Sequence, residues 1–232
     1  MKNLNSSTRQ SFLLNFVERL LDIFTTEGDC VLDPFMGSGS TLTAAKTKNR
    51  MGIGVELSED FIKIAQERLS EANLFATDPE PQIIAGDAQN LTELITKEID
   101  FVLTSPPYWN ILNQQRTADK KNIRHYSNLK KDLGAIKDYS EFLGALKKVF
   151  TAVYKLLKNG GYCCIILMDI RKGTNFYPFH IDTCNFMRKI GFTLDDIIIW
   201  DRRSEYNNLR PLGYPYVFRV NKVHEYILIF KK

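Results

Sequence analysis

Three acidic residues follow short apolar runs that we expect to be β-strands. Asp33 ends "CVLD", Glu56 ends "GIGVE" and Asp87 follows "IIAG". The parallel strands of an open α/β sheet bring their carboxyl ends to one edge, and ligands bind there. A single acid at a strand end is commonly a solvated or capping group, but three on successive strands indicate a binding site. Their carboxylates can accept hydrogen bonds from an ammonium, from ribose hydroxyls and from an adenine amino group, in that order.

The segment 33–41, "DPFMGSGST", narrows the kind of ligand. Gly37 and Gly39 let the backbone turn tightly and approach a ligand closely. A phosphate loop of the GxxxxGK[ST] type is excluded because no GK[ST] follows, and a dinucleotide GxGxxG match is weak because Leu42 takes the third glycine position. S-adenosylmethionine has no phosphate, and its ammonium, ribose and adenine groups match the three acids.

A second group of residues follows the fourth apolar run, in "FVLTSPPYWN". Pro106 and Pro107 stop the strand and contribute carbonyls without N–H groups. The Ser105 hydroxyl and the nearby carbonyls therefore offer hydrogen-bond acceptors, and the rings of Tyr108 and Trp109 offer stacking surfaces. Such a site fits a planar group that carries an exocyclic amine.

Strand-like and helix-like segments alternate along the chain, which predicts an α/β fold with a mostly parallel sheet and helices on both faces. The last two strands have no helix between them, so we expect one of them to be antiparallel. The expected helices cover 11–24, 40–49, 59–72, 139–161 and 180–191, and the expected strands cover 30–34, 51–57, 81–88, 99–104, 162–168, 192–200 and 224–230.

The 232 residues, 44% of them hydrophobic and 25% charged, suit one soluble domain that spans 1–232. Between the expected elements, 110–138 is predicted to be a basic flexible loop inserted after the tetrapeptide "SPPY", because it lacks periodicity. No apolar run reaches the ~18 residues of a membrane span. The polar N-terminal segment does not resemble a signal peptide, and we expect a cytoplasmic protein.

The net charge of +4 is concentrated in two segments. Six basic residues and one acid lie in 116–131, and five basic residues and two acids lie in 201–222. Basic patches on an otherwise acidic chain predict a polyanionic partner, although charge alone is equally consistent with solvated loops. The candidate phosphate contacts are Arg116, Lys120, Lys121, Arg124, Lys130 and Lys131 in the first segment, and Arg202, Arg203, Arg210 and Arg219 in the second.

Cysteine and histidine spacing predicts no metal site. The four cysteines form no CxxC pair, and Cys163 and Cys164 lie within an apolar run typical of a buried strand. The three histidines are widely separated, without the spacing of a zinc site.

Together, "DPFMGSGST" and "TSPPYW" resemble the amino-methylating DNA methyltransferases, which methylate cytosine at N4 or adenine at N6. The resemblance extends from the leading helix to the closing "RPLGYPYVFRVNKVHEYILIFKK". It implies a Rossmann-like class I methyltransferase fold, S-adenosylmethionine as cofactor, and DNA whose target base is flipped out or single-stranded. In this family most cytosine-N4 enzymes begin the tetrapeptide with Ser and most adenine enzymes with Asp or Asn, so Ser105 favours cytosine N4.

The resemblance divides the candidate residues into three groups. The catalytic group, which would hold and cover the target base, is Ser105, Pro106, Pro107 and Tyr108. The cofactor group is Asp33, Pro34, Phe35, Gly37, Gly39, Thr41, Glu56 and Asp87. The DNA-contacting group is Trp109 with the ten basic residues named above, and for Trp109 a wall beside the pocket is as strong an alternative as direct stacking.

The order of the motifs differs from that in many relatives, where the tetrapeptide precedes the glycine segment. This is a circular permutation that leaves the pocket intact. No separate target-recognition domain is expected, so recognition would fall to loops or to a partner. Adenine-N6 methylation, an RNA amino-methyltransferase and a non-catalytic cofactor- or DNA-binding subunit are the alternatives, and the undamaged motifs argue against the last. A homodimer and a cognate restriction endonuclease are further expected partners.

Overall fold

The computed structural model describes most of the chain, in six segments. Its helices are α1 (Ser6–Phe24), α2 (Ser40–Thr47), α3 (Glu59–Glu71), α4 (Leu91–Leu94), α5 (Tyr139–Leu156) and α6 (Phe179–Ile190). Its strands are β1 (Cys30–Asp33), β2 (Met51–Glu56), β3 (Gln82–Ala85), β4 (Ile99–Thr104), β5 (Leu157–Leu167), β6 (Ile170–Lys172), β7 (Asn175–Tyr177), β8 (Thr193–Asp201), β9 (Pro211–Leu212), β10 (Arg219–Val220) and β11 (His224–Lys231). The described residues are 6–71, 80–111, 132–203, 211–212, 219–220 and 222–232.

Seven strands form one sheet in the order β3-β2-β1-β4-β5-β11-β8. Strands β1 to β5 pair in parallel, and β11 lies between β5 and β8, antiparallel to both. The predicted mostly parallel sheet with an antiparallel closing strand is therefore confirmed. Because β1, β2, β3 and β4 are parallel, their carboxyl ends meet at one edge, where the predicted acids follow.

Helices cover both faces of this sheet, as predicted. Val31 and Phe101 point to the face that packs against α1 and α2, whereas Leu32 and Val102 point to the face under α5. This alternation is that of a strand buried on both sides. Among the described residues, no helix is both long and apolar enough to span a membrane.

Helix α2 and the segment before it pack closely on strand β2, because Gly52 and Gly54 face them without a side chain. A Cβ atom on Gly54 would lie 2.5 Å from the Met36 Sδ and 2.9 Å from the Leu42 Cδ1. The segment between β1 and α2 can therefore fold down onto β2, where the Met36 N–H donates to the Val55 carbonyl at 3.0 Å. This close packing places Met36 beside Val55 at the carboxyl edge of the sheet, where both line the cavity described below.

The boundary between α5 and β5 differs from the sequence prediction. The helix was expected to run to Gly161, but it ends at Leu156, and residues from Leu157 onward belong to β5. The strand contains an irregularity opposite Ile99 and Phe101, with Gly160 at a φ of 80°. Backbone hydrogen bonds to Lys232 and an ion pair between Lys158 and Asp100 hold this segment in the sheet, so tertiary contacts override its helical pattern.

Candidate active site

A cavity of about 290 Å³ opens at the carboxyl edge of β1, β2 and β4. Seven of the eight predicted cofactor residues line it, and so do two residues of the tetrapeptide, Ser105 and Pro107. The fold thus brings the two predicted groups of residues, which lie at 33–87 and 105–108 in the sequence, to one cavity. The seven cofactor-group residues are Asp33, Pro34, Phe35, Gly37, Thr41, Glu56 and Asp87.

Asp33 is buried in the wall of this cavity, with 4% of its surface exposed. One carboxylate oxygen accepts from the Thr104 hydroxyl at 2.7 Å and from the Phe35 N–H at 3.1 Å, and the other accepts from the Thr41 hydroxyl at 2.7 Å. Burial raises the pKa of Asp33 to about 6, although these three hydrogen bonds oppose the shift. The group therefore becomes fully ionised only above this pH, and a cation in the cavity would stabilise its charged form.

Glu56 ends β2 and fixes the turn around the glycine segment. Its Oε2 accepts from the Gly37 N–H at 2.8 Å, and its Oε1 accepts from the N–H groups of Leu57 at 2.9 Å and Ser58 at 2.8 Å. Burial raises the pKa of Glu56, and the three backbone donors oppose that effect. A carboxylate held this way keeps a fixed position at the cavity wall.

The two glycines of the segment have different surroundings. Gly37 has a φ of 52°, lines the cavity and presents its N–H to Glu56. Gly39 does not line the cavity. It precedes α2 with a φ of 80°, and a Cβ atom there would lie 2.9 Å from the Ala65 Cβ. Gly39 therefore lets α2 and α3 approach each other, behind the cavity rather than in it.

Asp87 lies at the cavity just beyond β3, where its Oδ1 accepts from the Gln89 N–H at 2.9 Å and caps a short 3₁₀ turn. Asp132 and Leu133 reach the cavity from a distant part of the sequence. The Asp132 Oδ1 accepts from the Gly134 N–H at 2.7 Å and starts another 3₁₀ turn, which places the Leu133 side chain in a buried position.

The tetrapeptide continues directly from the end of β4. Ser105 is exposed at the cavity rim, Pro106 is buried outside the cavity, and Pro107 lines it. Tyr108 is half-buried against the core, with its hydroxyl 3.3 Å from the Ser105 Oγ. Ser105 and Pro107 thus face the cavity that contains Asp33, and Tyr108 lies beside it.

Trp109 is a core residue in this structure. Only 3% of its surface is exposed, its Nε1–H donates to the Ile136 carbonyl at 2.9 Å, and the Lys172 Nζ lies 4.4 Å from its ring centre. The rings of Tyr139 and Tyr177 contact it edge-on at 5.2 and 5.0 Å. Trp109 is not among the residues that line the cavity, and its burial leaves no open ring face for direct stacking.

The predicted phosphate contacts are only partly described. Arg202 donates to the buried Glu225 at 2.6 Å and lies over the Trp200 ring, so its charge is already balanced. Arg203 is exposed and pairs with Asp201, its Nε donating at 2.7 Å. Arg219 donates to the Gly173 carbonyl through its Nη1. The remaining predicted contacts lie outside the described residues: Arg116, Lys120, Lys121, Arg124, Lys130, Lys131 and Arg210.

The sequence interpretation overlooked several residues of this site. Thr104 binds the Asp33 carboxylate, and its position as the last strand residue before the tetrapeptide was an available signal. Asp132 and Leu133 gave no signal, because the fold alone brings them to the cavity. Val17, Leu57, Phe61 and Ile166 add apolar walls from three separate parts of the sequence. Across the described residues, no three His, Cys, Asp or Glu side chains are grouped as metal ligands.

Strand order and cavity together define a class. Strands β1 to β5 are parallel, and the antiparallel β11 is inserted between β5 and the last strand, β8. A cavity lined by acids lies at the carboxyl edge of this sheet. This arrangement is the Rossmann-like fold of S-adenosylmethionine-dependent methyltransferases. A family model described as DNA methylase, for the N6- and N4-methylating type, matches residues 10–67 and 99–232. The chain therefore belongs to the N6/N4 DNA methylase family, which confirms the family predicted from its motifs.

The similarity to individual curated relatives is moderate in sequence identity and covers only part of each protein. The chain is 29% identical over 162 residues to the type II methyltransferase M.MthZI of Methanothermobacter thermautotrophicus. The aligned region covers 65% of this chain and 44% of that protein. It is also 29% identical over 174 residues to the type II methyltransferase M.MjaI of Methanocaldococcus jannaschii, covering 65% of this chain and 55% of that protein. The chain thus spans about half the length of these curated relatives.

Among solved structures, TrmN of Thermus thermophilus is similar with a TM-score of 0.58. The similarity covers 95% of this chain and 48% of TrmN at 16% sequence identity. At that identity the likeness concerns the fold, which agrees with the sheet order described above.

Proposed function

We propose that the protein is an S-adenosylmethionine-dependent DNA methyltransferase that transfers a methyl group to the exocyclic N4 amine of cytosine. The observation that carries the proposal is that Ser105 and Pro107 line the same cavity as Asp33, Glu56 and Asp87. A methyl donor and an amine acceptor must meet within one site, and this cavity joins acceptors suited to each. Family membership supports DNA as the substrate.

The residues of the cavity fit this cofactor. When bound, S-adenosylmethionine supplies an electrophilic methyl group. The buried Asp33 would accept from its ammonium, Glu56 from its ribose hydroxyls and Asp87 from its adenine amino group. Phe35, which is also part of the wall, offers an apolar face to a nucleoside. No phosphate needs to be bound, which agrees with a glycine segment that has no following lysine.

The tetrapeptide would prepare the amine. The lone pair of the cytosine N4 is delocalised into the ring, so the free base is a poor nucleophile. The two N–H groups of this amine would donate hydrogen bonds to the Ser105 Oγ and the Pro106 carbonyl. These hydrogen bonds would favour a pyramidal nitrogen whose lone pair faces the methyl group. Tyr108 would cover the ring of the base. Catalysis would then rest on positioning and electrostatics, and no strong base is required because the methylated amine is acidic and loses its proton readily.

The base must leave the duplex, or be single-stranded, to reach a cavity at the strand ends. We propose that the chain acts as one methyltransferase domain and that segments outside the described residues, 112–131 and 204–210 among them, contribute to contacts with DNA. The type II naming of the relatives supports a cognate restriction endonuclease as a partner. A homodimer is a further proposal that analytical ultracentrifugation can test.

Methyl transfer to a defined polymer tests the proposed function. The protein is incubated with S-adenosylmethionine carrying a labelled methyl group and with duplex DNA, single-stranded DNA or RNA of the same sequence. We expect label in DNA. Label in RNA with none in either form of DNA would overturn the proposed substrate.

A further inference from the structure

A small hairpin formed by β6 and β7 stands beside the tetrapeptide. It follows β5 at the carboxyl edge, with Arg171 opposite Phe176 across the two strands. The sequence of 170–177, "IRKGTNFY", contains two basic residues and no acid. The inward Lys172 binds the segment after the tetrapeptide, because its Nζ donates to the Asn110 Oδ1 at 3.3 Å and lies over the Trp109 ring.

The outward face of the hairpin combines cations with one exposed aromatic ring. Phe176 is 44% exposed, and the Arg171 guanidinium lies 5.1 Å from its ring centre. The Lys222 Nζ lies 4.2 Å from the same ring. At the hairpin turn, the Arg219 Nη1 donates to the Gly173 carbonyl at 2.6 Å. Two guanidinium groups are thus held against the hairpin by a ring and by a backbone carbonyl.

These two arginines differ from Arg202 and Arg203 in their charge balance. Within the described part of the chain, neither Arg171 nor Arg219 forms an ion pair with a carboxylate, whereas Arg202 and Arg203 both do. The nearby Asp169 is buried and accepts from Lys222 at 2.7 Å and from His180 at 2.5 Å. Its charge is therefore neutralised locally, and the hairpin face keeps a net positive charge.

We propose that this face of the β6–β7 hairpin binds the phosphate backbone of DNA next to the target base, with Arg171 and Arg219 as the phosphate contacts. The inference rests on the proposed function. Guanidinium groups bind phosphate through two parallel hydrogen bonds, and preorganised side chains lose less entropy on binding. Because Lys172 ties the hairpin to Asn110, a phosphate held here lies beside a base held at Ser105.

The salt dependence of DNA binding tests this assignment. Binding of the full chain to a fluorescent duplex is measured between 50 and 200 mM salt for wild type, Arg171→Gln, Arg219→Gln and Arg171→Lys. The matched control is Lys155→Gln, which removes one exposed positive charge from the last turn of α5, at the opposite edge of the sheet. Circular dichroism and cofactor affinity verify that each variant is folded.

Each Arg→Gln variant is expected to bind roughly 5- to 10-fold more weakly at ~0.1 M salt and to lower the slope of log K against log salt by about 1. Arg171→Lys should retain the slope, and Lys155→Gln should match wild type. The proposal is wrong if both Arg→Gln variants behave like the Lys155→Gln control, or if wild type does not bind DNA. Binding that weakens as expected, without methyl transfer by wild type, would support the hairpin and overturn the proposed function instead.

Discussion

The Asp33 carboxylate accepts a hydrogen bond from the Thr104 hydroxyl at 2.7 Å, across 71 positions of sequence. Asp33 is the last residue of β1, and Thr104 is the last residue of the adjacent β4, immediately before Ser105. The acid proposed to bind the methyl donor and the tetrapeptide proposed to bind the methyl acceptor are therefore joined by one side-chain hydrogen bond. Because the Thr104 hydroxyl lowers the pKa of Asp33, a substitution at the end of β4 is expected to alter the proposed cofactor contact at the end of β1.

Thr104→Val removes this hydrogen bond with little change in shape. The Thr104 hydroxyl lowers the pKa of Asp33, so its loss should raise that pKa further and weaken cofactor binding. Hydrogen bonds to charged groups contribute about 1.5–3 kcal/mol, so in the variant part of Asp33 is protonated at pH 7.5 and the affinity for the cation should fall roughly 2- to 5-fold. Isothermal titration at pH 7.5 measures it. Thr151→Val, which removes an exposed hydroxyl on α5, is the control, and equal affinities in the two variants would contradict the role of Thr104.

Cofactor affinity should depend on pH through Asp33. Burial raises its pKa to about 6, and a cationic ligand binds the ionised form. Affinity should therefore be constant above this pH and fall as pH decreases below it, by up to roughly tenfold per pH unit. Titrations between pH 5 and 8 measure the effect, and Asp33→Asn should bind weakly at every pH. A wild-type affinity that does not change between pH 5 and 7 argues against the proposed contact.

Ser105→Ala should separate catalysis from cofactor binding. Removing one preorganised polar group of this kind typically lowers kcat by about 10²- to 10³-fold. The affinity for S-adenosylmethionine should change little, because the cofactor acids remain. Single-turnover methyl transfer and cofactor titration give the two quantities. Ser70→Ala on the exposed surface of α3 serves as the control, and a Ser105→Ala rate equal to that of Ser70→Ala would show that Ser105 has no catalytic role.

Gly54→Ala should destabilise the fold, because its Cβ would meet Met36 and Leu42 at 2.5–2.9 Å. Overpacking of this kind costs about 1–3 kcal/mol in the free energy of unfolding. Gly144→Ala is the matched control. Gly144 lies in α5 with no atom within 4 Å of its added Cβ, so the substitution should stabilise by up to ~1 kcal/mol. Urea unfolding measures both, and a Gly54→Ala protein as stable as wild type would refute the close packing of α2 on β2.

The parts of the fold that follow from local patterns were predictable. Short apolar runs identified all seven strands of the main sheet, and acids placed just after them identified Asp33, Glu56 and Asp87 as one group. This succeeds because the parallel arrangement brings strand ends together whatever the details of packing. The family could be predicted because two motifs occur together.

What escaped prediction depends on contacts between distant segments. The early end of α5 reflects pairing of 157–161 with the sheet, which no local pattern reveals. Asp132 and Leu133 line the cavity although Asp132 comes 27 positions after Ser105 in the sequence. The burial of Trp109 depends on Lys172, Tyr139 and Tyr177, which come from other elements. The β6–β7 hairpin was missed because its strands have three residues each, too few to show periodicity.

Mass spectrometry of the nucleosides from methylated DNA tests the central claim most directly. DNA of mixed sequence is incubated with S-adenosylmethionine and either wild type or Ser105→Ala, then digested and quantified for N4-methylcytosine and N6-methyladenine. We predict N4-methylcytosine with wild type and at least a hundredfold slower accumulation with Ser105→Ala. N6-methyladenine as the only product, or equal rates of product formation by the two proteins, would contradict the account.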